Sequence, residues 1–172
     1  MRLFTAICFE EEVKNALSLA ADLAKTLSGG NFTEKENFHL TLVFIGETER
    51  LQDIENALSK IDFPAFDFAI NKTGSFEKGI FWAGTEENPS LQKLYEKIRE
   101  ELSAIGIETE EREYVPHITL ARKFLAPENA DLSPVEELLP KEKQRAERIS
   151  LMKSERVDGV LRYTEISSKK LF

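Results

Sequence analysis

The chain contains two histidines, and both sit in the same short pattern. His39 lies in Phe38-His39-Leu40-Thr41-Leu42, and His117 in Pro116-His117-Ile118-Thr119-Leu120. Threonine makes up about 6% of the residues. Two unrelated histidines would therefore both have Thr two places on with odds of roughly three in a thousand, before the shared leucine is counted. Imidazole titrates near neutral pH, so one histidine can accept a proton while the other gives one. Threonine hydroxyls can donate to the non-bridging oxygens of a phosphate, where charge must be held in the transition state. These four groups suit acid–base chemistry at a phosphate ester. Neutral imidazole also binds zinc, but there is one cysteine, and neither motif contains Asp or Glu. That weighs against a two-histidine metal site, and no metal or cofactor is expected.

Such groups need rigid backbone beneath them. In a strand, residues i and i+2 point to the same face. His39 and Thr41 then share a cleft face, as do His117 and Thr119, while Leu40, Leu42, Ile118 and Leu120 turn to a core. The segments Phe38–Ile45 and His117–Ala121 read as those strands. Around them, Leu3–Phe9 reads as a buried strand. Glu10–Leu27 reads as an amphipathic helix closed by Gly29-Gly30, with Val13, Leu17, Leu19, Ala20, Leu23 and Leu27 as its apolar positions. Glu49–Ile61 is a second helix with Thr48 as its N-cap. Phe66–Thr73 and Ile80–Gly84 are expected to form a hairpin around a turn at Gly74–Gly79. Ser90–Ile105 is a third helix stopped by Gly106. Residues 125–140 read as a loop with one helical turn. Ile149–Val157 and Val160–Ser167 flank Asp158-Gly159, a strong hairpin signal. The order β-α-β-α-β-β-α-β-β-β implies an α+β fold with largely antiparallel sheets and helices on one face.

The 172 residues carry a net charge of −8. That argues against a protein that wraps duplex nucleic acid, which needs a basic face, yet leaves room for a pocket that grips one phosphate. Cys8 lies in an apolar run and reads as a core thiol; no disulfide within the chain is possible. No apolar run approaches a membrane span or a signal sequence, so a cytoplasmic protein with no membrane partner is expected. No linker separates two units, so residues 1–172 are read as one domain.

Paired His-x-Thr-x motifs on strands, separated by a helical middle section, resemble the 2H phosphoesterase superfamily. Within it the chain is similar to the bacterial and archaeal RNA 2′,3′-cyclic phosphodiesterases, historically called 2′-5′ RNA ligases. The similarity spans nearly the whole chain. It rests on Met1-Arg2-Leu3-Phe4-Thr5-Ala6, on Asn37-Phe38-His39-Leu40-Thr41-Leu42 with Phe44-Ile45-Gly46, and on Phe81-Trp82-Ala83-Gly84. It continues through Pro116-His117-Ile118-Thr119-Leu120-Ala121-Arg122 and Ser154-Glu155.

The resemblance implies two lobes related by a pseudo-two-fold axis, one motif from each lining a central cleft, with helices outside. It implies opening of a 2′,3′-cyclic phosphate to a 2′-phosphate and a free 3′-hydroxyl. Run backward on RNA ends, the same chemistry joins a 5′-hydroxyl to the 2′-phosphate. His39 would protonate the departing 3′ oxygen and His117 would activate the water, roles that swap with direction. Thr41, Thr119 and Arg122 would hold the phosphate, although Arg122 alone could be a solvated strand-end charge. Phe38 and Tyr114 are candidates to stack on the terminal base, with core packing the competing role for Phe38. The expected partner is an RNA 3′ end bearing a 2′,3′-cyclic phosphate, tRNA fragments included, bound by a monomer. The alternatives are another small cyclic phosphate, a 2′-5′ oligonucleotide, or RNA-end binding without turnover. Many relatives carry a tryptophan ahead of the first motif and a basic residue before the Trp-Ala-Gly segment. This chain has Asn31-Phe32-Thr33-Glu34 and Gly79-Ile80 at those places, which bears on base stacking and RNA affinity.

Overall fold

The computed structural model describes residues 1–172. In chain order the elements are β1 (Arg2–Cys8), α1 (Glu11–Lys25), β2 (Asn31–Phe32), β3 (His39–Glu47), α2 (Leu51–Ser59), β4 (Phe66–Phe68) and β5 (Lys72–Phe76). They continue with β6 (Ile80–Gly84), α3 (Pro89–Ala104), β7 (His117–Arg122), α4 (Ser133–Glu137), β8 (Gln144–Ala146), β9 (Arg148–Val157) and β10 (Val160–Lys170). One four-stranded sheet has the order β10-β9-β1-β3, a second β2-β7-β6-β5, and β4 pairs with β8. Every pairing is antiparallel. The fold is α+β and two-lobed, with one motif strand in each sheet: β3 at the edge of the first, β7 between β2 and β6 in the second.

The helices cross between lobes. α1 leaves the first sheet and packs on β7 and α4, while α3 leaves the second sheet and packs on β3 and α2. α1 buries Leu17, Ala20, Ala21 and Ala24. Small alanines let it approach the sheet closely, whereas Leu19, counted in the apolar stripe, points to solvent at 59% exposure. α3 starts at Asn88, whose side chain accepts the Leu91 N–H at 3.0 Å, with Pro89 next in its first turn. It buries Leu91, Leu94, Tyr95, Ile98 and Leu102. Gly106, at φ 76°, closes it in the left-handed region. One core of 33 buried residues runs through both sheets, from Leu3 and Leu40 to Phe81 and Ile118.

Two expectations need correction, and two strands were not expected. The Phe66–Thr73 segment does not form one strand of a hairpin. Phe66–Phe68 pairs with Gln144–Ala146, and the hairpin partner of β6 is Lys72–Phe76, which draws Gly74 into the strand. There the ring of Trp82 covers Gly74 so closely that a Cβ would come within 2.3 Å of it. This close approach, not a turn, requires the glycine. Thr48 sits outside α2, its hydroxyl accepting the Arg50 N–H at 3.1 Å just ahead of the helix. Finally, β2 and β8 have no signal in the sequence, because two- and three-residue strands are too short to show a period.

Candidate active site

β3 and β7 carry the same local distortion. Ala6 faces Thr41 and Thr5 faces Val43, so Leu42 is an extra residue on β3. Trp82 faces Thr119 and Phe81 faces Ala121, so Leu120 is extra on β7. A bulge shifts the parity of the residues after it and re-aims a side chain. Ahead of it, His39 and Thr41 are half-buried around buried Leu40, as are His117 and Thr119 around Ile118. After it, two consecutive residues are buried in each strand, and Phe44 and Arg122 emerge. In an undistorted strand the fifth residue after the histidine would point into the core. The bulges instead return Phe44 and Arg122 to the histidine face, and both line the same cleft of about 470 Å³.

Each imidazole is held alike. His39 Nδ1 lies 2.8 Å from the Asn37 carbonyl, and His117 Nδ1 lies 2.8 Å from the Val115 carbonyl. A carbonyl oxygen only accepts, so Nδ1 carries the hydrogen in both rings and Nε2 of each neutral ring is the free base. The Asn37 side chain is fixed in turn, donating to the Leu161 carbonyl on β10 at 3.0 Å. His39 Nε2 lies 2.8 Å from Thr41 Oγ1, so the hydroxyl donates to the neutral ring. The His39 ring packs against Phe4 and Tyr163, each centroid 4.9 Å away. The His117 ring meets Phe76 edge-on at 4.9 Å, with Trp82 at 6.3 Å. Burial lowers the pKa of His39 to about 4, with the charges of His117 and Arg122 acting the same way. Burial also lowers the pKa of His117, beside Arg112 and Arg122. Both rings therefore rest neutral at pH 7.

The cleft thus brings together Thr41, His117, Thr119, Arg122 and Tyr114; His39 does not line it and is linked to it by the bond to Thr41. Arg122 is exposed and close enough to bias both imidazoles and Tyr163 electrostatically. Tyr114 turns its hydroxyl inward, donating to the Thr41 carbonyl at 2.9 Å. One face of its ring is covered by Tyr95, stacked at 4.3 Å and 5°. Of the two roles weighed for Phe38, it takes core packing: it is 2% exposed and does not line the cleft. Alternation puts it on the face opposite His39. Phe44 was missed, although it stands five residues after His39 as Arg122 stands after His117. That shared offset was the available signal. It lines the cleft at 38% exposure, with the Arg2 guanidinium 4.9 Å from its ring centre. Cys8 is half-buried, its Sγ 3.7 Å from Met152 Sδ, and burial pushes its thiol pKa up. No group of three or more His, Cys, Asp or Glu side chains is placed to hold a metal ion.

Residues 14–158 match the family described as the 2′-5′ RNA ligase superfamily. A Thermotoga maritima protein named RNA 2′,3′-cyclic phosphodiesterase is 38% identical over 152 residues, covering 79% of this chain and 81% of its own length. A Methanocaldococcus jannaschii protein of the same name is 34% identical, covering 73% of each. Among solved structures, E. coli LigT in its apo form superposes with a TM-score of 0.84 at 23% identity, covering 99% of this chain and 96% of its own. LigT complexed with 3′-AMP gives 0.83 at 24% identity, covering 99% and 97%.

Proposed function

The chain belongs to the 2′-5′ RNA ligase superfamily, and from that premise we propose that it hydrolyses the 2′,3′-cyclic phosphate at an RNA 3′ end to a 2′-phosphate. The observation that carries this reading is the pair of His-x-Thr strands. Each ring is locked at Nδ1 by a carbonyl two residues back, and the strands flank one cleft. The matched relatives bear the name of that activity.

In the proposed reaction His117 is the base. No protein group bonds its Nε2, so that nitrogen is open to a water proton. The water oxygen attacks phosphorus in line with the P–O3′ bond. Its proton passes to His117 Nε2, and His39 Nε2 gives a proton to the departing O3′. The products are a 2′-phosphate and a 3′-hydroxyl. His39 must be charged for that role, and the bound phosphate anion stabilises its imidazolium against the burial that otherwise keeps it neutral. Thr41, Thr119 and Arg122 hold the non-bridging oxygens as charge grows on them. Phe44 offers its ring to a base, and Tyr114 borders the same space. With a 5′-hydroxyl in place of water, the same attack makes a 2′-5′ linkage. We read the substrate as RNA ends, tRNA fragments included, met by a cytoplasmic monomer. No helix is long and apolar enough to cross a membrane.

The test is hydrolysis of a short RNA ending in a 2′,3′-cyclic phosphate, with EDTA present. The wild type should yield a 2′-phosphate end, and His39→Ala and His117→Ala should each lose at least about a hundredfold in rate. A folded wild type that leaves this RNA intact would sink the RNA-end reading.

A further inference from the structure

The main-chain carbonyl of each motif threonine accepts a hydroxyl from outside its own motif. β3 is the outer strand of its sheet, so half of its carbonyls face no strand. On β7, the pairing with β2 covers only Ala121 and Arg122. In both places the carbonyl is met by a hydroxyl from the segment that leads into the other motif. Tyr114, three residues before His117, donates to the Thr41 carbonyl at 2.9 Å. Thr33, six residues before His39, donates to the Thr119 carbonyl at 2.8 Å, and its N–H donates to the Leu120 carbonyl at 2.9 Å. Neither residue belongs to a motif.

The two bonds are reciprocal. From Thr33 the chain turns at Lys35–Asn37, and the Asn37 carbonyl then holds His39 Nδ1. From Tyr114 it is one step to Val115, whose carbonyl holds His117 Nδ1. Each hydroxyl therefore ties the holder of one imidazole to the strand that bears the other. The Tyr114 donor is itself rigid. Its ring stacks on Tyr95, the Arg99 guanidinium lies 5.5 Å from the Tyr95 ring centre, and Arg99 Nε donates to Thr109 at 2.9 Å. Burial pushes the Tyr114 phenol pKa upward, so it remains a neutral donor.

We propose that Tyr114, which bridges the lobes, and Thr33, which anchors to β7 the start of the crossover from β2 to β3, together form a clasp that sets the separation of the two imidazoles. Both are positioning residues for the reaction proposed above, on which this inference rests. An in-line displacement that needs both rings at once is sensitive to small errors in that separation. Losing either hydroxyl should therefore slow the chemical step and leave most of the fold intact.

The test compares Tyr114→Phe, Thr33→Val and Thr33→Ser with the wild type. Tyr114→Phe and Thr33→Val should each lower kcat/KM about tenfold, with little change in Tm. Thr33→Ser, which keeps the hydroxyl, should restore the wild-type rate. The second readout is independent of turnover: inorganic phosphate is titrated while the ring signals of both histidines are followed by NMR. Phosphate should shift both rings in the wild type, and its affinity should fall about tenfold in Tyr114→Phe and Thr33→Val. If those two variants stay within twofold of wild type in both readouts, or if Thr33→Ser is as impaired as Thr33→Val, the clasp is overturned. A wild type that leaves the RNA intact, yet needs both hydroxyls to bind phosphate across the two rings, supports the clasp and removes the RNA-end reading alone.

Discussion

At the scale of single residues, His39 is the clearest case of environment overruling a reference value. Its ring is packed between Phe4 and Tyr163, and burial lowers its pKa from 6.5 to about 4. The neutral form is thus favoured by folding. Above pH 6.5 the ring is neutral in both states and costs nothing. As pH falls from 6.5 towards 4, the unfolded chain takes up a proton that the folded chain refuses. Stability should fall across that window, with a slope from this group of at most about 1.4 kcal/mol per pH unit. Denaturant unfolding at a series of pH values, for wild type and His39→Gln, checks it: the variant should show a shallower slope. Phe38 and Phe44 make a second contrast at this scale. Phe38→Ala empties a core site and should cost about 3–5 kcal/mol of stability. Phe44→Ala should leave stability nearly unchanged and weaken RNA binding by about 1–3 kcal/mol. A calorimetric unfolding scan and a KM measurement on each variant separate the two roles.

At the scale of elements, the paired bulges decide what the cleft contains. The alternation of His39, Leu40, Thr41 and Leu42 was legible because side-chain period in a strand is local geometry. The bulges at Leu42 and Leu120 were not, since an extra residue is defined by the partner strand it fails to match. That is why the cleft position of Phe44 could not be read from the alternation in the sequence. The Asp158-Gly159 hairpin was legible for a local reason too, as both residues take positive φ, 51° and 80°. The β4–β8 pair was not, because Phe66 and its partner Ala146 stand 80 positions apart in sequence. Gly74 illustrates the same limit: it reads as a turn residue, yet stands in β5 beneath the Trp82 ring. Gly74→Ala should push that ring aside and cost about 1–3 kcal/mol. Since Trp82 packs beside His117, turnover should fall as well, which an activity assay at a temperature where the variant is folded would show.

At the scale of the whole molecule, the exchange of helices between lobes matters most. α1 leaves β1 for β7, and α3 leaves β6 for β3. Neither sheet can keep its covering helix if the other lobe opens. We therefore read residues 1–172 as one bilobal unit, supported by a core of 33 residues that spans both sheets. Thermal unfolding should be a single transition in which fluorescence of Trp82, in the second sheet, and far-ultraviolet circular dichroism change together. Two separated transitions would show that the lobes unfold independently. The net charge of −8 belongs to this scale as well. It sets solubility and long-range repulsion of RNA, while Arg122 and Arg112 act over a few ångströms inside the cleft.

The sequence by itself determined the local elements and the paired motifs. Two histidines each followed by a threonine at the second place share a strand face by local geometry, and strand and helix periods depend only on neighbours along the chain. The tertiary structure decided which groups meet. It brought out Phe44, bonded Tyr114 to β3 across the lobes and Thr33 to β7, and lowered both histidine pKa values. Bulge parity, burial and contacts between distant segments are properties of paired surfaces, and no single stretch of chain contains both surfaces.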